Sequence, residues 1–194
     1  MIVTWLPSWL STDLSLISGF LTWIVVLSWL WRSGWKIQRR YFIEATQKPL
    51  TRNAIVWSAG IVGAIFFVAA QMRPGMPGVM TVAMIGALSA YVDARTHRLP
   101  NAYTVAMAIG VVLGLVVGGV ISPLWQDRLM GALIGALIWF VPIALLNRLP
   151  GGMGGGDVKL APVLGALVGS VGLHAAIFAL ALSFVSAGVA ALWK

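Results

Sequence analysis

The chain of 194 residues contains no cysteine, and only 9% of its residues are charged. The absence of cysteine excludes a disulfide-stapled secreted fold. The scarcity of charge excludes an ordinary soluble domain, in which about a quarter of residues carry charge. A disordered chain is excluded as well, because that class is poor in apolar residues. Acidic residues are the scarcest charged group: Asp13, Glu44, Asp93, Asp127 and Asp157. What fills the sequence instead is 60% hydrophobic residues, with a mean hydropathy of +0.94. The net charge of +8 reports topology in so apolar a chain, not a phosphate ligand, so nucleic acid is not an expected partner.

Apolar stretches at 14–31, 54–70, 78–92, 102–121, 129–147, 157–172 and 173–193 predict an all-α, polytopic helical membrane bundle of about seven transmembrane helices. Crossing the hydrocarbon takes roughly 20 residues. The stretches at 78–92 and 157–172 are short, and each has an aspartate at one end. Either those helices run on through the aspartate, or the bilayer there is thinned and wetted. The first basic residue is Arg32, so the charged start of a cleaved signal peptide is missing and the first stretch reads as a retained span.

Basic residues orient the bundle. Arg32, Lys36, Arg39, Arg40, Lys48, Arg52, Arg95, Arg98, Arg148, Lys159 and Lys194 fall on one side, Arg73 and Arg128 on the other. Eleven against two predicts N-terminus out and C-terminus in. Trp5, Trp9 and Trp125 then mark the outer interface, and Trp29, Trp31, Trp35 and Trp193 the inner one. Segment 32–53 is the one sizeable extramembrane piece, a basic rim suited to an anionic lipid surface.

Two loops expected on the cytosolic side carry the chemistry. One reads Tyr91-Val92-Asp93-Ala94-Arg95-Thr96-His97-Arg98-Leu99-Pro100-Asn101, the other Gly151-Gly152-Met153-Gly154-Gly155-Gly156-Asp157-Val158-Lys159-Leu160. Each sets one aspartate at the cytosolic end of a span, where an ionisable residue is costly and therefore reads as functional. Two carboxylates on one side of a bundle suit a shared-proton site, in which one acts as acid and the other as base toward water. The plainer alternative pairs Asp93 with Arg95 or Arg98 and makes Asp157 a helix cap. The glycines would let an extended peptide backbone lie close to Asp157. Helix dipoles favour charge on Asp157, at a helix start, and disfavour it on Asp93, at a helix end, which suggests Asp157 as base and Asp93 as acid. His97 reads as an interfacial loop residue, Lys159 as snorkelling to headgroups beside Asp157, and His174 falls on the opposite face. A histidine-based metal site is therefore not expected. Pro100-Asn101 reads as an extended residue and an N-cap. Pro142 and Pro162 read as helix kinks.

The motif pair Asp93-x-x-x-x-Arg98-Leu99-Pro100-Asn101 and Gly154-Gly155-Gly156-Asp157-Val158-Lys159-Leu160 resembles the bacterial type IV prepilin peptidases, polytopic aspartic proteases of the GxGD class. The likeness covers roughly 54–193, with weaker echoes at Leu27–Leu30 and Ile37–Glu44. It implies residues 1–53 as an N-terminal span with a shortened basic segment, and 54–194 as a six-helix peptidase core. It implies Asp93 and Asp157 as catalytic, and Gly154, Gly155, Gly156 and, less directly, Lys159 as substrate-binding, with no metal or cofactor. The implied substrate is a prepilin or pseudopilin, cut after its leader glycine at the cytosolic face of the inner membrane. Bifunctional members of the family carry a cysteine-rich methyltransferase domain between the first two spans. About 22 residues without cysteine stand there in this chain, so only the peptidase half is implied. Three competing readings are a transporter with an aspartate proton relay, a catalytically silent assembly partner of a pilus machine, and a bifunctional enzyme that keeps its N-methyltransferase activity. Aspartates at the span ends rather than the midplane, and the lack of a visible inverted repeat, weigh against the transporter.

Overall fold

The computed structural model describes residues 8–70, 75–122, 124–150 and 154–192. Trp5, Arg73, Gly151, Gly152, Met153, Trp193 and Lys194 lie outside the described residues, as does the side chain of Trp9. The described residues form only helices: α1 (Ser8–Trp29), α2 (Trp35–Glu44), α3 (Arg52–Ala69), α4 (Met76–Thr96), α5 (Asn101–Ile121), α6 (Trp125–Asn147), α7 (Gly155–Gly169) and α8 (Leu173–Leu192). A π-helical turn, Leu30–Gly34, fuses α1 to α2, so the described chain runs as seven continuous helices. Five of these are long and apolar enough to cross a membrane, namely the fused first helix, α3, α4, α5 and α6. Exposed apolar residues include Val25, Trp57, Ile61, Val116 and Leu137 on these helices and Val185 on α8. Such a surface calls for lipid rather than water. The protein is a helical membrane bundle.

The chain packs as two compact units, Met1–Trp125 and Gln126–Lys194. In the first, α4 packs against α1, α2, α3 and α5. Met76, Met80, Met84, Leu88 and Val92 recur every fourth residue on α4 and are almost fully buried, as side chains on one helical face should be. The α4–α5 contact is made by small residues. A Cβ on Gly114 would lie 2.8 Å from the Gly78 nitrogen and 2.9 Å from the Gly75 carbonyl oxygen, and one on Gly110 would collide with Thr81. With Gly118, these residues form a small-xxx-small series. Such a series lets helix backbones touch inside a bilayer, where lipid removes the usual hydrophobic drive for association.

The second unit uses the same device in a stricter form. Gly131 and Gly135 of α6 face Gly165 and Gly169 of α7, and a Cβ on any of the four would run into the opposing backbone. Trp139 of α6 closes the unit, packing on Ala161 and Val158 of α7 and donating its ring N–H to the Ala176 carbonyl of α8 at 3.0 Å.

The structure decides between the two readings of the short stretches. α4 runs from Met76 to Thr96, straight through Asp93, and its 21 residues extend about 31 Å. α7 begins at Gly155, two residues before Asp157, yet has only 15 residues. At about 22 Å it falls short of the roughly 30 Å of hydrocarbon. The capping expectation at 100–101 shifts by one residue. Asn101 is already helical, and the extended Pro100 (ψ 118°) occupies the cap position. Pro142 and Pro162 both sit inside helices, α6 and α7.

Candidate active-site residues

Asp93 lies in the last turn of α4 and is half-buried. The helix ends on His97, which takes the left-handed conformation (φ 50°, ψ 34°) and donates its backbone N–H to the Asp93 carbonyl at 2.7 Å. Thr96 ties this end down, its hydroxyl donating to the Val92 carbonyl at 2.8 Å and to that of Arg98 at 3.4 Å.

The cations nearest Asp93 in sequence are turned elsewhere. Arg98 pairs with Glu44, which also accepts from Arg40 Nε at 2.8 Å, and Arg95 lies over the Tyr91 ring at 5.7 Å. The plainer reading, with Asp93 paired to Arg95 or Arg98, is therefore not realised among the described residues. On the polar helix α2, the hydrogen-bonded Arg40 guanidinium, helped by the charge of Arg98, holds the Glu44 carboxyl below its usual range.

Segment 32–53 is built onto this end of the first unit. Gln38 is fully buried. Its amide donates to the carbonyls of Trp35 (3.2 Å) and Leu50 (3.0 Å) and accepts from the Leu50 N–H (3.3 Å). Gln47 donates to the Arg95 carbonyl at 2.9 Å, and Phe42 stacks on Tyr91 with ring centroids 6.3 Å apart. Residues 45–51 are thus a strap joined to the last turn of α4, two residues from Asp93. Arg52 rests 3.9 Å over Trp31, and Arg39 sits 5.4 Å over Trp35. The sequence reading passed over Gln38 and Gln47. A buried glutamine has no periodic signature, and only the uncharged amide of Gln38 among the charged, aromatic and apolar residues of α2 marked it out.

Asp157 stands in the first turn of α7. Gly154 is the cap residue, extended at φ −65°, ψ 149°, and accepts the Asp157 backbone N–H at 3.0 Å. This puts the carboxyl in the helix turn whose free amides favour negative charge. Gly154, Gly155 and Gly156 lie on the same turn. A Cβ on Gly154 would sit 3.5 Å from the Asp157 carboxyl, whereas one on Gly155 would meet nothing within 4 Å. Lys159 follows on α7 with its side chain exposed. The second unit therefore holds Gly154, Gly155, Gly156, Asp157 and Lys159 on adjoining turns, and Asp93 belongs to the first unit. Among the described residues, no group of three or more His, Asp or Glu lies together.

The sequence model of the type IV leader peptidase family matches residues 79–192. That stretch covers well over half of the chain and contains both aspartate motifs. The chain belongs to the type IV leader peptidase family. It is thus a membrane peptidase acting on a protein substrate, in keeping with its apolar helices. No curated protein and no solved structure matches the chain.

Proposed function

We propose that this leader peptidase is an aspartic endopeptidase, with Asp93 and Asp157 acting on one water molecule. The observation that carries the reading is the contrast between the two carboxyls. Asp157 sits on a helix N-terminus behind a glycine cap. Asp93 sits at a helix C-terminus, with Arg95 and Arg98 committed to other partners. A helix N-terminus suits a group that takes up a proton as it works, so this reading gives Asp157 the part of base and Asp93 the part of acid. In this mechanism Asp157 accepts a proton from water as it attacks the scissile carbonyl. Asp93 protonates the carbonyl oxygen, and a proton then passes to the leaving amine.

The substrate in this reading is a type IV prepilin or pseudopilin, held in the inner membrane by its apolar N-terminal helix and cut after the leader glycine. The exposed backbone at Gly155, with open space where a side chain would stand, supports close approach of an extended peptide, and Gly154, Gly156 and Lys159 complete the substrate-binding turn. The distribution of basic residues supports N-terminus out, C-terminus in, with cleavage at the cytosolic face. Residues 54–194 act as the peptidase core. Residues 1–53 supply the first span and the basic rim, which is too small to enclose a methyl-donor cofactor. The test is co-expression with candidate prepilins, followed by N-terminal sequencing and mass measurement of the product. A new N-terminus directly after the leader glycine, with an unmethylated amine, is the expected outcome. An uncut prepilin would overturn the reading.

A further inference from the structure

Ser89 lies one turn before Asp93 on the same face of α4, a spacing that brings side chains to about 5–6 Å between Cβ atoms. It is 1% exposed, and its hydroxyl has no hydrogen-bond partner among the described residues. Other helical hydroxyls of this protein bond back onto their own helix. Thr22, Thr81 and Thr96 donate to the carbonyl four residues earlier, and Ser18, Ser58, Ser170, Ser183 and Ser186 to the one three residues earlier. That local bond is the default for a hydroxyl on a helix. Ser89 forgoes it, although leaving a buried hydroxyl unpaired is unfavourable.

Asp93 has the complementary need. A carboxyl that moves a proton has to be held in one orientation, and the neighbouring cations do not hold this one, since Arg95 faces Tyr91 and Arg98 faces Glu44. The Thr96 hydroxyl is spent on the Val92 and Arg98 carbonyls, and the His97 backbone N–H on the Asp93 carbonyl. Ser89 is the remaining aliphatic hydroxyl within one turn of Asp93. We propose that Ser89 is a positioning residue for Asp93: its hydroxyl hydrogen-bonds the Asp93 carboxyl, directly or through one water, and sets its orientation for proton transfer. The proposal rests on the reading of Asp93 as catalytic.

The experiment compares full-length wild type, Ser89→Ala, Ser89→Thr and Asp93→Asn in lipid nanodiscs, with steady-state prepilin cleavage and thermal unfolding measured on each. Alanine is the better helix former, which offsets the lost hydroxyl bond, so Ser89→Ala should unfold close to the wild-type temperature. Its kcat should fall on the order of 10-fold with KM unchanged, as expected for a misaligned reacting group. Ser89→Thr restores a hydroxyl and should recover most of kcat. Full kcat in Ser89→Ala beside an inactive Asp93→Asn would overturn the role of Ser89 and leave the aspartate mechanism standing. A parallel loss of kcat and thermal stability in Ser89→Ala, without recovery in Ser89→Thr, would make the residue structural and overturn the proposal. An active Asp93→Asn would remove the aspartate reading itself, and the Ser89 proposal with it.

Discussion

Two neighbouring glycines before Asp157 differ in what a methyl group would meet. At Gly154 it would sit 3.5 Å from the Asp157 carboxyl, and at Gly155 it would stand in open space. Packing thus gives no reason for a glycine at 155, and alanine in a helix is favoured over glycine by up to about 1 kcal/mol. Gly155→Ala should therefore leave insertion and thermal stability unchanged or slightly improved while lowering prepilin cleavage at least about 10-fold, because the substrate backbone loses its close approach. Comparing unfolding temperature with cleavage rate on the same preparation checks this. Normal cleavage by Gly155→Ala would show that no peptide lies there. At this scale the sequence made the rare residues legible, since five acids in an apolar chain each demand a reason. It left Gln38 and Gln47 unread, because their value lies in carbonyls that only the fold brings near, those of Leu50 and Arg95.

The π turn at Leu30–Gly34 shows how an element can be held by a residue far along the chain. The Trp35 N–H reaches back five residues to the Leu30 carbonyl, and the Tyr103 hydroxyl of α5 donates to the Gly34 carbonyl at 3.0 Å. Trp29 meets the Tyr103 ring edge to face at 6.2 Å. A side chain on Gly34 would press into the Trp29 ring at 2.9 Å. Tyr103→Phe keeps the ring and removes this second hydrogen bond to the Gly34 carbonyl, which should cost about 0.5–1.5 kcal/mol; unfolding of the purified variant in detergent measures it, and an unchanged stability would refute the role assigned to that bond. Gly165→Leu should be far more damaging, because the new side chain would drive into the Gly135 backbone and separate α6 from α7. Loss of folded protein for Gly165→Leu beside well-folded Gly155→Ala is the expected contrast. Hydropathy located every described span, since apolar length is what a bilayer selects. It clipped α4 to 78–92 because windowed apolarity ends at a charge. The helix does not, as its backbone bonds continue to Thr96. The π turn was illegible, because it depends on a tyrosine about seventy positions downstream.

For the whole molecule, exposed apolar side chains over glycine-packed helices explain how so few charges suffice. The segment between the first two spans illustrates the limit of composition. Its six basic residues suggested a rim on lipid. Its folded part is a helix and a strap fastened to the end of α4 through Gln47, Glu44 and Phe42. Neutralising Glu44 as Glu44→Gln should loosen that strap and speed amide hydrogen exchange across 45–51, with exchange in α7 unaffected; unchanged exchange at 45–51 would show that the strap is held without Glu44. The central claim, that Asp93 and Asp157 together carry the proton of an aspartic peptidase, is tested most directly by replacing each with asparagine. Prepilin cleavage is then assayed in membranes lacking other prepilin peptidases, with insertion verified in parallel. Asparagine keeps the shape and removes a costly charge, so both variants should insert normally and fail to cleave. The double variant should be no worse than either single one, since residues acting as a unit are not additive. Substantial cleavage by correctly inserted Asp93→Asn or Asp157→Asn would contradict the account.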